Sequence, residues 1–190
     1  MYKLYLFKDQ PDYSKELTTD NIINILGTKG SGKTTLTTDY LNNDNYIVIN
    51  CDRLLELPSQ EEEDKELTTI RILLKDKYNI PKIKEDFTKY YNDIIEYILD
   101  KKKTAIIEGN VLEDMDLSLL KGKIIIKRTA IIKSFIRAIK RDYKNAYFLN
   151  LERKQHKYFF KLTRLFKITK RRLSIFKQAK VIEKIMNELE

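Results

Sequence analysis

A chain of 190 residues, 42% hydrophobic and 34% charged, is long enough for one domain with a full core and too apolar for a disordered segment. No apolar stretch approaches the roughly 20 residues that span a bilayer, and a single cysteine (Cys51) and a single histidine (His156) exclude an intrachain disulfide, a cysteine metal cluster and histidine-based triads. The net charge of +9 is unevenly spread: residues 1–120 hold 16 Lys and Arg against 23 Asp and Glu, net −7, and residues 121–190 hold 21 against 5, net +16. An acidic body joined to a basic tail favours a polyanionic partner, either nucleotide phosphates or nucleic acid.

Residues 2–7 (YKLYLF) suggest a short strand closed by a turn at Asp9-Gln10-Pro11-Asp12. Charges interrupt this start too soon for a signal peptide, so a reducing, cytoplasmic setting is expected. Asn21–Leu26 reads as a buried strand ending in glycine, and Thr34–Leu41 begins a helix. Tyr46–Asn50 (YIVIN) is a second buried strand. Ser59 with Glu62 forms a capping box opening a helix that runs to about Tyr78, ahead of Pro81. Phe87, Tyr90, Tyr91, Ile94, Ile95, Ile98 and Leu99 follow helical spacing, predicting a helix over about 83–101. Thr104–Ile107 and Lys123–Ile126 are two further strands, bounded by Gly109 and Gly122, and from Thr129 onward the pattern is helical. Alternation of strand and helix predicts an α/β fold, with a mainly parallel sheet covered on both faces. One domain over 1–190 is the economical reading: an α/β core over 1–150 and a basic helical region over 151–190, as appendage or cover.

Gly27-Thr28-Lys29-Gly30-Ser31-Gly32-Lys33-Thr34 matches G-x-x-x-x-G-K-[ST] in full, with Thr35 following. The glycines let backbone N–H groups curl around a phosphate, and the helix that follows turns its positive end toward the same anion. Lys33 supplies a mobile charge to the β- and γ-phosphates, and the Thr34 hydroxyl is a ligand for Mg²⁺. The context is the required one, a strand before and a helix after, so residues 27–35 are expected to bind a nucleoside triphosphate.

The fate of the phosphate is read from the rest of the chain. An N-K-x-D guanine signature and a D-x-x-G switch are both missing, which argues against a signalling GTPase. The nearest approach to the acidic strand of a motor ATPase is Ala105-Ile106-Ile107-Glu108-Gly109, with one acid followed by glycine. Three segments, GTKGSGKTT, YIVINCDR and AIIEGN, resemble small P-loop kinases of the nucleoside-monophosphate-kinase-like group, in particular the zeta-toxin and uridine-kinase-like branches. The resemblance covers about residues 20–145. It implies a three-layer P-loop NTPase fold and a Mg²⁺-dependent kinase, with ATP as the commoner donor and no membrane association.

On that resemblance, Asp52 at the end of the second strand faces the acceptor hydroxyl as catalytic base, with Arg53 beside it. Glu108 holds a Mg²⁺-bound water or a substrate hydroxyl, and Gly109 leaves room for the acceptor. The plainer alternatives are an Asp52 that caps the next turn and a Glu108 that ends a strand. A lid helix is implied over about 130–148, with Ile132, Phe135, Ile136, Ile139 and Tyr143 on one face and Lys133, Arg137, Lys140, Arg141 and Lys144 on the other. Arg137 and Arg141 are the candidates for closing on the transferring phosphoryl group; a solvated helix face is the alternative. The fifth strand and adenine loop that such folds place after the lid are not found, so the base-binding residues stay unassigned. The acceptor is first a nucleotide or nucleoside, second a nucleotide sugar.

Residues 153–177 interleave aromatics with Lys and Arg. Tyr158, Leu162, Leu165, Phe166, Leu173 and Phe176 fit one helical stripe and are expected to pack. The cations are solvated, face the acidic body, or follow a nucleic-acid backbone, the last defining a competing function: a nucleic-acid-associated NTPase docking through its C-terminal helices. His156 reads as a surface residue.

Overall fold

The short apolar runs form the parallel strands of one sheet: β2 (Ile22–Leu26), β3 (Tyr46–Asn50), β4 (Thr104–Glu108) and β5 (Lys123–Ile126). The computed structural model describes residues 13–16, 21–54, 65–78, 87–151 and 158–190, with side chains over 21–54, 69–78, 87–144 and 165–190. A further strand, β1 (Tyr13–Glu16), runs antiparallel along β5 at the edge, giving the order β1-β5-β2-β4-β3. The sequence reading did not anticipate β1, and the strand expected over residues 2–7 lies outside the described residues. Among the described residues the sheet has five strands, with β1 beyond β5 and none drawn from the chain after residue 126.

From β2 the chain passes over β4 to β3, returns to β4, and then crosses β2 to β5. The winding direction therefore reverses around β2, and in open parallel sheets the crevice beyond the carboxyl ends at such a point is where ligands bind. β2, β3 and β4 end on Leu26, Asn50 and Glu108, so the segments that follow them converge there.

The helices are α1 (Lys33–Thr37), α2 (Cys51–Leu54), α3 (Lys65–Lys77), α4 (Phe87–Asp100), α5 (Ile131–Leu151), α6 (Tyr158–Arg172) and α7 (Ser174–Leu189). The capping pair Ser59 and Glu62, and the expected start of the 83–101 helix, fall outside the described residues. α1 is shorter than the pattern over 34–41 suggests, tightening into a 3-10 turn at Thr38–Tyr40. The hydroxyls of Thr37 and Thr38 both donate to the Thr34 carbonyl, at 3.0 and 2.9 Å. Such back-bonding by threonines competes with the regular ladder and ends the α-helix early.

α4 buries Phe87, Tyr90, Tyr91, Ile94, Ile95 and Ile98 as its spacing predicts, each stabilising the fold by about 1.5–3 kcal/mol. Leu99, expected on that face, is 53% exposed. The buried Asn24 of β2 is satisfied across the core: it accepts from the Tyr91 hydroxyl at 2.9 Å and donates to the Lys121 carbonyl at 2.7 Å.

One expectation about the C-terminal half is corrected. On α5 the apolar face is partly covered, with Ile136 45% exposed, and among its described side chains those buried deepest are the small ones, Ser134 and Ala138. They lie where the helix presses against the glycine loop, a contact too close for large side chains. In the basic region the stripe expected to pack is largely uncovered where its side chains are described: Phe166 is 70% and Leu173 53% exposed, and Leu165 is exposed. Phe176, though exposed, packs on Phe135 with ring centroids 5.4 Å apart. Tyr158, Leu162 and His156 lie outside the described side chains. The buried stripe is instead Ile175, Ile182, Ile185 and Leu189 on α7, three of which join the main core. The helical region is thus built into the domain. Among the described residues, no helix is long and apolar enough to cross a membrane.

Candidate functional site

The loop between β2 and α1 is held on all sides. Gly27, Gly30 and Gly32 have φ of 147°, 87° and 100°. At Gly30 a Cβ would stand 2.4 Å from the Ser134 carbonyl oxygen, so only glycine allows α5 to approach. Thr28 Oγ1 donates to Ser134 Oγ at 3.4 Å, Thr129 Oγ1 donates to the Ser31 carbonyl at 2.8 Å, and the Lys29 N–H donates to Gln178 Oε1 at 3.2 Å. α5 and α7 therefore both touch the loop.

Lys33, the first residue of α1, is buried, with Nζ donating to the Gly27 carbonyl and, at 3.0 Å, to Asn110 Oδ1. Glu113 Oε1 lies 3.8 Å from the same ammonium and accepts the Gly27 N–H at 3.4 Å. Burial pushes the Glu113 carboxyl up to about 8, against the pull of Lys33 and the Gly27 N–H, and burial also lowers the Lys33 ammonium. Each group is held against the solvation it has lost, which fixes the lysine at the floor of the loop.

Asp52 is the second residue of α2, which follows β3 directly, and the turn after β4 meets it. Asn110 donates twice to its carboxylate, from the backbone N–H to Oδ1 at 2.9 Å and from Nδ2 to Oδ2 at 2.6 Å. The approach depends on Gly109, at φ 154°, where a Cβ would come within 2.8 Å of the Cys51 Cβ. Gly109 thus makes room for Cys51 and Asp52. Burial pushes the Cys51 thiol up, so the residue is a packing group.

Glu108, at the end of β4, accepts from Thr34 Oγ1 at 3.4 Å and from Asn50 Nδ2 at 2.8 Å. Burial raises its carboxyl, opposed by those two hydrogen bonds and by Lys33. Arg53 is exposed, its N–H donating to Asn50 Oδ1 at 3.0 Å.

One cavity of about 1500 Å³ collects nearly every residue the sequence singled out: Thr28 to Thr35, Asp52, Arg53, Glu108, Arg137 and Arg141 all line it. Gly27 and Gly109 lie behind its wall. Ligand pockets run to roughly 300–1,000 Å³, so this space exceeds what one ligand needs.

No protein-family model and no curated protein matches the sequence.

Sequence reasoning missed four participants. Asn110 and Glu113 follow Glu108-Gly109 on a 3-10 turn at Asn110–Asp114, and Asn50 precedes Cys51-Asp52. The fourth is the corner between α6 and α7. Arg172, buried at 7% exposure, bonds through Nε and Nη2 to the Asp142 carboxylate on α5, and Arg171, Arg172, Ser174, Lys177 and Gln178 line the same cavity. Arg171-Arg172 reads in sequence as two more cations in a basic run, and only the fold pairs one of them with Asp142.

No cluster of three or more His, Cys, Asp or Glu stands ready for a metal among the described residues. Thr34 Oγ1 and Glu108 nonetheless offer two hard oxygens side by side, and Mg²⁺ typically takes one or two protein ligands plus phosphates and water. Ser31 Oγ is buried with no hydrogen-bond partner among the described residues, in a loop whose curled backbone suits a phosphate. Both groups fit.

Proposed function

We propose that the chain is a P-loop kinase, a cytoplasmic Mg²⁺-dependent phosphotransferase that moves the γ-phosphoryl of ATP to a small acceptor. The acceptor is a nucleotide or nucleoside first, a nucleotide sugar second. The observation that supports this reading above the others is the amide of Asn110. It ties Lys33, the charge for the donor phosphates, to Asp52, the carboxylate on the acceptor side, through two short hydrogen bonds. Phosphoryl transfer asks the protein mainly for positioning and charge, and a rigid link between the donor and acceptor halves supplies both.

In this mechanism Lys33 contacts the β- and γ-phosphates, and Thr34 and Glu108 would hold Mg²⁺, which would supply positive charge against the phosphates. Asp52 retains lone pairs on both oxygens after its bonds to Asn110, enough to accept the proton of the acceptor hydroxyl. The acceptor oxygen bonds to the γ-phosphorus as the bond to the β–γ bridging oxygen breaks, and ADP leaves. Arg137 and Arg141, exposed on the cavity wall, offer planar two-pronged contacts to the transferring group. The size of the cavity leaves space for both substrates at once.

Incubation with γ-labelled ATP and a mixed metabolite pool tests the reading. It expects a labelled product other than free phosphate, abolished by Lys33→Ala. Label found only in inorganic phosphate, released faster with added DNA or RNA, replaces the kinase with an NTPase docking on nucleic acid through its basic helices.

A further inference from the structure

The buried stripe of α7 runs Ile175, Ile182, Ile185, Leu189, and the helical position between the first two members, three after Ile175 and four before Ile182, is Gln178. A polar residue at an inward-facing position needs a reason, and here the Lys29 N–H meets its Oε1 at 3.2 Å. A backbone N–H can only donate, so the carbonyl end of the amide is the end held at the loop. Nε2, with two N–H donors and no acceptor capacity, is the other end of a residue that lines the cavity.

Lys29 lines the cavity together with Asp52, Arg141 and Arg172, and the charges of all three reach its ammonium, which burial lowers first. Lys33 and Thr34, by contrast, sit at the α1 end, where the β-phosphate and metal belong. A group anchored on Lys29 therefore stands over the outermost phosphate. The corner carrying it is fixed, since Ile175 is fully buried and Arg172 is clasped by Asp142.

We propose that Gln178 reads the γ-phosphoryl group: its amide bridges the Lys29 N–H and a γ-phosphate oxygen, so that α7 distinguishes a nucleoside triphosphate from a diphosphate. The inference rests on the nucleotide-binding reading above. It gives the C-terminal helices a task inside the site, separate from any surface role of their exposed lysines.

The test is the affinity of the full chain for fluorescent ATP and fluorescent ADP, each with Mg²⁺, in wild type, Gln178→Ala and Gln178→Glu. A hydrogen bond to a charged group predicts that Gln178→Ala weakens ATP about tenfold or more while ADP changes less than about twofold. Gln178→Glu keeps the acceptor for the Lys29 N–H but sets a negative charge against the γ-phosphate, so ATP affinity falls further still and thermal stability holds. Equal losses for ATP and ADP in Gln178→Ala, with Gln178→Glu near wild type, would mean that the residue only fastens α7 to the loop, and overturn the proposal. A wild-type chain that binds neither nucleotide overturns the nucleotide reading itself, a result distinct from an unchanged ratio.

Discussion

Asn110 stands between Lys33 and Asp52, accepting from the Lys33 ammonium at 3.0 Å through Oδ1 and donating to Asp52 at 2.6 Å through Nδ2. An amide offers an acceptor and a donor on one rigid plane, so the two charged groups are held at a set separation without meeting. The backbone N–H of the same residue adds a second bond to Asp52, at 2.9 Å. The carboxylate is thereby oriented from two directions by one residue.

Removing that amide should uncouple the two halves of the site. Asn110→Ala is expected to lower kcat by about 10²-fold, the low end of the 10²–10⁴-fold typical for loss of a general base. The effect of Asp52→Asn should be much smaller in that background than in wild type, because residues of one network are not additive. Full additivity in the double variant would show that Asn110 acts apart from Asp52.

Gly30 carries a packing prediction. A Cβ there would stand 2.4 Å from the Ser134 carbonyl, and φ is 87°, so Gly30→Ala must move α5 or strain the loop. Overpacking of this kind destabilises by about 1–3 kcal/mol, measurable as a shift in the denaturant midpoint. Gly32→Ala has open space around the added carbon, and its effect is limited to the backbone dihedral.

The expected loop, strands and central helix were legible because each is local. The apolar runs of β2 to β5, the α4 stripe and the 27–34 motif are all periodicities or spacings within about 20 residues. Asp52 and Glu108 stood out in the sequence because one follows an apolar run by two residues and the other closes one. What stayed hidden depends on partners far apart in sequence: Lys33 with Asn110, Lys29 with Gln178, and Asp142 with Arg172. The exposed aromatics of the basic region were misread for the same reason, since a helical stripe shows which residues share a face but not whether anything covers it. Ser134 and Ala138 escaped notice because close contact selects small residues, and small residues carry no hydrophobic signal.

Asp142 and Arg172 form the clasp that holds the α6–α7 corner to α5, with side chains 15% and 8% exposed. Taking one partner from such a pair leaves the other charge buried and costs about 3 kcal/mol. Asp142→Ala should therefore lower the melting temperature by about 6–12 °C in a chain of this length. A drop below about 2 °C would mean the pair is solvated.

The pH dependence follows from Glu113. Its carboxyl titrates near 4.5 when unfolded and at about 8 when folded, raised by burial. The folded state thus keeps a proton that the unfolded chain releases, and this contribution to stability is full below about pH 4.5 and lost as pH rises to about 8. Melting temperature should fall between about pH 5 and 8 and do so less steeply in Glu113→Gln. Identical slopes in the two proteins would contradict the burial of this carboxyl.

The central claim, transfer to an acceptor oriented by Asp52, is tested most directly by single-turnover reaction of γ-labelled ATP with pooled nucleosides, nucleoside monophosphates and nucleotide sugars. Wild type and Asp52→Asn are compared at saturating ATP. The account predicts a labelled organic product whose rate falls about 10²–10⁴-fold in Asp52→Asn, with ATP affinity changed less than a few-fold. Label that appears only in inorganic phosphate, or an organic product formed equally fast by both proteins, would contradict it.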